Sequence, residues 1–156
     1  MRIAVFSDTH SCVSPMIDAI RKYKPDMICH LGDHDRDTEV LLSLFPDIPL
    51  YRVCGNCDYN ALAPNCLTVQ FGQVKAFLTH GHLYSVSFGR LDSLVYAAQE
   101  AEAKLVLFGH THSPLHADIG GVKLVNPGTS GKGRERSCAM LEIFDNGGIG
   151  VEFHTL

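Results

Sequence analysis

The sequence predicts an α/β protein in which two β-sheets pack face to face with helices on the outside. Three observations predict it. The first half alternates apolar runs with amphipathic helical stretches, which implies parallel strands joined by right-handed crossovers. The second half is rich in short strands separated by Gly and Asn turns. The apolar runs also stop abruptly at polar, chemistry-bearing residues.

Taken in order, Ile3-Ala4-Val5-Phe6 reads as a buried strand that ends at Ser7-Asp8-Thr9-His10. Ser14 as N-cap and Pro15 at the first helical position open a helix with Met16, Ile17, Ile20 and Tyr23 on its apolar face, and Pro25 limits it. Met27 to Leu31 is the second strand, closed by Gly32-Asp33. Asp35 or Asp37 is expected to cap a second helix through Val40, Leu41, Leu44 and Phe45, before Pro46. Leu50 to Cys54 forms the third strand and ends at Gly55-Asn56.

A loop from Tyr59 to Asn65 leads to Leu67–Phe71 and Val74–Leu78, a hairpin about Gly72-Gln73 that ends at Thr79-His80-Gly81-His82. Leu91, Leu94, Val95, Ala98 and Ala101 mark a third helix. Leu105–Phe108 follows, then Gly109-His110-Thr111-His112. Short strands are expected at Leu115–Ile119, Val122–Val125, Cys138–Phe144 and Ile149–His154. With no repeat or linker, residues 1–156 are expected to form one domain.

At 156 residues, with 46% apolar and 19% charged content, the chain can bury a substantial core. Met1-Arg2 runs straight into a strand and no apolar run approaches a bilayer span, so a soluble, cytoplasmic protein is expected. A net charge of −4 argues against strong nucleic-acid binding. The six cysteines read as reduced thiols. Cys54-Gly55-Asn56-Cys57 has C-x-x-C spacing, but it lacks a second pair or a thioredoxin-like context.

The chemistry sits at strand ends. Alternation in an extended segment lets Asp8 and His10 converge on one ion. Alone, either could cap a turn, and any single histidine could be a core or surface residue. Asp33, Asn56, His80, His110 and His112 also follow strands, and the carboxyl ends of parallel strands face a common crevice. Mixed imidazole and carboxylate donors suit manganese, iron, zinc or nickel, and seven donors exceed what one open ion uses. Two divalent ions are expected, manganese first. His82 either contacts substrate or orients His80. Asp58 either orients a catalytic neighbour or closes an Asx-turn, the turn being preferred; Asn126-Pro127-Gly128 is a turn at the rim, and His34, His116 and His154 are surface residues. Lys132, Arg134 and Arg136 form a basic loop that either receives part of the substrate or is solvated.

Asp8-x-His10, Gly32-Asp33, Gly55-Asn56, His80 and Gly109-His110-x-His112, in this order, resemble the calcineurin-like metallophosphoesterase superfamily. Gly55-Asn56-Cys57-Asp58, Thr79-His80-Gly81-His82 and Asn126-Pro127-Gly128-Thr129 resemble its small, single-domain YfcE-type phosphodiesterase branch. The resemblance implies a four-layer αββα sandwich of two mixed β-sheets flanked by helices. It also implies one ion on Asp8, His10 and His112, a second on Asn56, His80 and His110, and Asp33 bridging both. A bridging hydroxide would attack phosphorus in line, with Asp33, Asn56 and His80 as catalytic residues and Asn56, Cys57 and His82 meeting the substrate. Much of the superfamily has His where this chain has Cys57. A neutral thiol is a weak proton donor to a leaving group, so diesters with good leaving groups are the expected substrates. The competing reading is a protein-interaction scaffold on the same fold, like the retromer subunit. A structural metal held partly by Cys54 and Cys57 is a third. Oligomeric state, including a homo-oligomer, stays open.

Overall fold

A computed structural model of the chain describes residues 1–131, 133 and 135–156. The basic-loop residues Lys132 and Arg134 therefore lie outside the described residues. The first sheet has the order β10-β9-β1-β2-β3 and the second β4-β5-β6-β8-β7. In the first, β1 (Arg2–Phe6), β2 (Met27–His30) and β3 (Leu50–Arg52) run parallel, and β9 (Ser137–Ile143) and β10 (Ile149–Thr155) are antiparallel. In the second, β5 (Val74–Thr79), β6 (Leu105–Leu107) and β8 (Val122–Pro127) are parallel, and β4 (Cys66–Phe71) and β7 (Pro114–Ile119) pair antiparallel at the two edges.

The central strands alternate their side chains between two apolar environments, which is why they read as near-continuous apolar runs, whereas the edge strands β4, β7 and β10 are partly exposed. Ile3, Val5, Leu31, Phe71, Leu78, Leu107, Val125 and Leu141 meet between the sheets. The opposite face of the first sheet, with Ala4, Phe6, Ile28 and Met140, packs on Met16 and Ile20 of α1 (Ser14–Tyr23) and Leu41 of α2 (Thr38–Leu44). Phe77, Val106, Phe108 and Leu124 of the second sheet pack on Leu94, Val95 and Ala98 of α3 (Asp92–Glu100). This is the αββα layering implied by the motifs, with two mixed sheets. No helix among the described residues is long and apolar enough to cross a membrane.

Three local expectations are corrected. Val13, not Ser14, occupies the cap position of α1, so Ser14 and Pro15 both lie inside the first turn. Asp37 does occupy the cap position of α2, but neither its side chain nor that of Asp35 bonds the helix start; both residues sit in a short 3-10 turn ahead of it. The Asp37 carboxylate instead accepts hydrogen bonds from Thr9 Oγ1 (2.6 Å) and the Ser11 amide (2.8 Å), so tertiary partners outcompete the cap. The third strand stops at Arg52, two residues early. There the Val53 amide still bonds His30 O, but the Cys54 amide turns to Pro64 O.

Candidate metal centre

The centre is built where strands of both sheets end. After β1 the chain turns at once: Asp8 has φ 57° and His10 φ 45°. The same left-handed conformation recurs at Asp33 (57°) after β2, and at His110 (69°) and His112 (58°) after β6. Non-glycine residues avoid this region, and a cluster of them marks stored strain of the kind found at functional sites. The turns aim five side chains inward where straight strand continuation would carry them past one another.

Close backbone approach makes this crowding feasible. A Cβ on Gly55 would collide with Asp33 Oδ1, and one on Gly109 with Ser7 Oγ. The Asp8 amide donates to Gly32 O (3.0 Å), the Gly109 amide to His80 O (3.0 Å) and the Ser130 amide to Ser7 O (2.9 Å). Asn126, fully buried within β8, donates from Nδ2 to Gly109 O (2.7 Å) and Thr111 Oγ1 (3.1 Å). It thus braces the loop carrying His110 and His112 from inside the strand, where sequence reasoning had placed a rim turn.

Asp8, His10, Asp33 and His112 each offer a donor atom, all within 4.8 Å of one another. The donors continue beyond this group through Asp33. Its Oδ2 lies 3.8 Å from His10 Nε2, and its Oδ1 lies 3.4 Å from His80 Nε2. His80 Nε2 is in turn 3.1 Å from Asn56 Oδ1. The His80 Nδ1 atom bonds Leu31 O (2.7 Å), which leaves Nε2 directed at the centre. The His110 ring packs edge-on at 5.0 Å from that of His80, and its amide donates to Asp8 Oδ2 (3.1 Å). His82 lies near both rings, at 5.4 and 6.3 Å, with its Nδ1 buried and unpartnered. All seven candidate ligands therefore belong to one connected cluster of side chains.

The donor set fits a cation. Asp8 is wholly buried, yet its Oδ1 has no aligned hydrogen bond; His112 Nε2 is 3.1 Å away but off-line. An orphaned buried carboxylate oxygen is costly unless a positive charge meets it. Burial works against ionisation of Asp8, but His112, His80 and Ser7 outweigh it and hold the carboxyl below its usual range. Burial also keeps His10 and His110 neutral more readily than usual, so their lone pairs are free for coordination. His112 shifts the other way because the Asp8 carboxylate beside it favours its protonated form.

The neighbouring residues sort themselves by contact. All six cysteines are free. Cys54 is buried and donates to Asn65 Oδ1 (3.1 Å), whereas Cys57 is exposed at the centre, its amide 2.9 Å from Asp33 Oδ1. No cysteine joins the donor group found among the described residues, so the geometry does not support a thiolate-held ion. Burial, then Asp33, pushes the Cys57 thiol up to about 11. Asp58 does not act as the expected Asx-turn but as a tie between loops: its carboxylate accepts from the amide of Gly55 (2.7 Å), three residues earlier, and from those of His34 (2.7 Å) and Asp35 (2.9 Å) on a separate segment. His34 is not a free surface residue, since it packs edge-on against His10 at 5.2 Å and bonds Ser11 Oγ. His154 stacks on Tyr23.

Sequence reasoning missed one support. Thr9, between Asp8 and His10, donates to Asp37 and lies 3.2 Å from His30 Nε2. The buried His30 takes the Gly32 amide on Nδ1 at 3.3 Å. No spacing rule signals this chain, because its members lie on three separate segments.

Two five-stranded mixed sheets with an acid and histidine cluster where their strands end define an α/β protein with a candidate metal centre. The calcineurin-like phosphoesterase superfamily domain matches residues 1–146, and the chain belongs to that family. A probable metallophosphoesterase, YsnB, of Bacillus subtilis is 28% identical over 160 residues, covering 99% of this chain and 90% of the relative. Phosphodiesterase MJ0936 of Methanocaldococcus jannaschii is 24% identical over 82% of this chain and 83% of its own. Among solved structures, a predicted phosphoesterase from Streptococcus pneumoniae superposes with TM-score 0.80 at 32% identity, covering 99% and 88% of the two chains. Vps29 of Entamoeba histolytica, complexed with zinc, shares the fold at TM-score 0.79 and 19% identity, covering 99% of each chain.

Proposed function

We propose that this protein is a dinuclear metal-dependent phosphodiesterase. The observation that carries the reading is the split of Asp33, whose two carboxylate oxygens face His10 on one side and His80 on the other. Asp8, His10 and His112 would hold one divalent ion and Asn56, His80 and His110 the other, with Asp33 shared; manganese is favoured over iron, zinc or nickel. When bound, such ions lower the pKa of a coordinated water toward ~7 and neutralise phosphate oxygens.

The residues of the chain do the remaining work. Asp8 and Asp33 contribute two negative charges, fewer than two dications supply, so an anionic diester is attracted to the crevice. Asn56, exposed at the opening, orients the phosphate beside His80, and Cys57 and His82 line its approach. Water attacks phosphorus in line, the bond to one ester oxygen breaks, and that oxygen leaves with the proton. Because Cys57 stays a neutral thiol, the proton is not delivered efficiently by this side chain, and good leaving groups react best.

The substrate is a small phosphodiester in the cytoplasm, and the acidic chain does not engage nucleic acid strongly. Likeness to Vps29 in fold makes a protein-binding scaffold the second reading. The two separate in one assay. Stripped protein reloaded with Mn²⁺ hydrolyses bis-p-nitrophenyl phosphate, and Asp33→Asn loses more than about 100-fold in kcat/KM. Full activity in that variant refutes the shared-carboxylate scheme, and absence of any metal-dependent turnover favours the scaffold.

A further inference from the structure

Beside the metal centre lies a second recess. A cavity of about 230 Å³ is lined by His34, Asp35, Arg36, Cys57, Asp58 and Tyr59. Cys57 belongs to both places, since its amide bonds Asp33 Oδ1 at 2.9 Å. The His34 ring forms a shared wall through its contact with His10. A phosphate held at the centre therefore has room for one ester arm here. The volume falls below the roughly 300–1,000 Å³ of pockets that enclose whole ligands, so the recess takes part of a substrate.

Its lining specifies the kind of arm. The Asp58 carboxylate is engaged by three backbone amides, and Asp35 is only 4% exposed. Neither presents a bare charge at the mouth. Arg36 is exposed there. The Lys and Arg ion pairs among the described residues are Arg52–Glu39, Lys75–Glu102 and Lys123–Asp118, which leave Arg36 over. Tyr59 is 85% exposed and so presents its ring to solvent. An open phenol ring, a guanidinium and an imidazole on one rim all favour a flat π-system over a saturated chain.

We propose that this recess is a subsite for a planar aromatic arm, aryl or nucleoside, of the phosphodiester, with Tyr59 stacking on it and Arg36 drawing its electron-rich face. The proposal rests on the diester-hydrolysing reading above. Both side chains are exposed, so alanine substitutions leave the fold intact.

The test compares Mn²⁺-loaded wild type, Tyr59→Ala, Tyr59→Phe and Arg36→Ala on bis-p-nitrophenyl phosphate and on methyl p-nitrophenyl phosphate. Tyr59→Ala is expected to raise KM for the diaryl diester about tenfold, the effect of losing one stacking contact, with kcat within about twofold. Arg36→Ala moves KM in the same direction, and Tyr59→Phe, which keeps the ring, retains the wild-type value. A rise confined to the diaryl diester means that the recess holds the retained arm; a rise with both substrates means that it holds the leaving arm. Unchanged KM in both alanine variants overturns the proposal, as does a Tyr59→Phe loss equal to that of Tyr59→Ala. If wild type hydrolyses neither diester, the phosphodiesterase reading fails on its own. Calorimetric binding of diphenyl phosphate then decides the subsite: weaker binding to Tyr59→Ala than to wild type upholds it, and equal or absent binding overturns it.

Discussion

Acidification should weaken this protein through His30, a residue outside the candidate ligand set that supports the ligands' loop. The ring is fully buried and burial pushes its pKa down to about 4, from an ordinary 6.5; nearby Asp8, Asp37 and Asp58 only partly offset this. Its hydrogen bonds agree with a neutral ring. Nδ1 accepts from the Gly32 amide, and Nε2 donates to Thr9 Oγ1, whose hydroxyl in turn donates to Asp37 Oδ2. Between pH 6.5 and about 4 the unfolded chain binds a proton at this position that the folded chain refuses, so stability falls as pH falls. The contribution is complete above 6.5 and gone below about 4. At roughly 1.36 kcal/mol per pH unit, the interval is worth about 3 kcal/mol, of which about 2 kcal/mol is lost between pH 7 and 4.5. Urea unfolding of chelator-treated wild type and His30→Gln at these two pH values isolates it from the other histidines. The variant is less stable at pH 7, and the gap narrows by about 2 kcal/mol at pH 4.5. A gap that stays constant refutes the assignment of a buried, neutral His30.

Further outcomes follow from the crowding and chemistry of the centre. Gly55→Ala puts a methyl group against Asp33 Oδ1 and only 2.5 Å from the Asp33 amide; Mn²⁺ affinity measured by calorimetry should drop about 10- to 100-fold, and an unchanged affinity contradicts the placement of Asp33. Cys57→His supplies a proton donor where the thiol is held up at about 11. Activity toward esters with poor leaving groups should gain by more than about tenfold relative to bis-p-nitrophenyl phosphate, and an unaltered ratio removes position 57 from leaving-group chemistry.

The elements and the candidate ligands were legible because one signal served both. An apolar run that ends in Gly-Asp or Gly-His marks a strand and its functional end together, as at Gly32-Asp33 and Gly109-His110. Sequence signals misplace the cap of α1 at Ser14 and, for α2, find the cap position at Asp37 but not the fate of its side chain. A short polar side chain near a helix start has several uses, and Asp37 is drawn to Thr9 and Ser11 by a fold that local sequence does not encode. The left-handed backbone at Asp8, His10, Asp33, His110 and His112 was equally silent, since glycine is the usual sign of positive φ and these positions lack it. The bracing by Asn126 and the His30 relay depend on contacts between segments far apart in sequence, and no periodicity reports them.

The central claim is a shared cage for two cations, and counting them tests it most directly. Metal-stripped protein titrated with Mn²⁺, with the bound ions located by anomalous diffraction, should hold two per chain, one beside Asp8, His10 and His112 and one beside Asn56, His80 and His110, with Asp33 between them. Asp33→Asn should lose at least one of the two. A wild-type chain that takes up one ion, none, or an ion held at Cys54 and Cys57 contradicts the account.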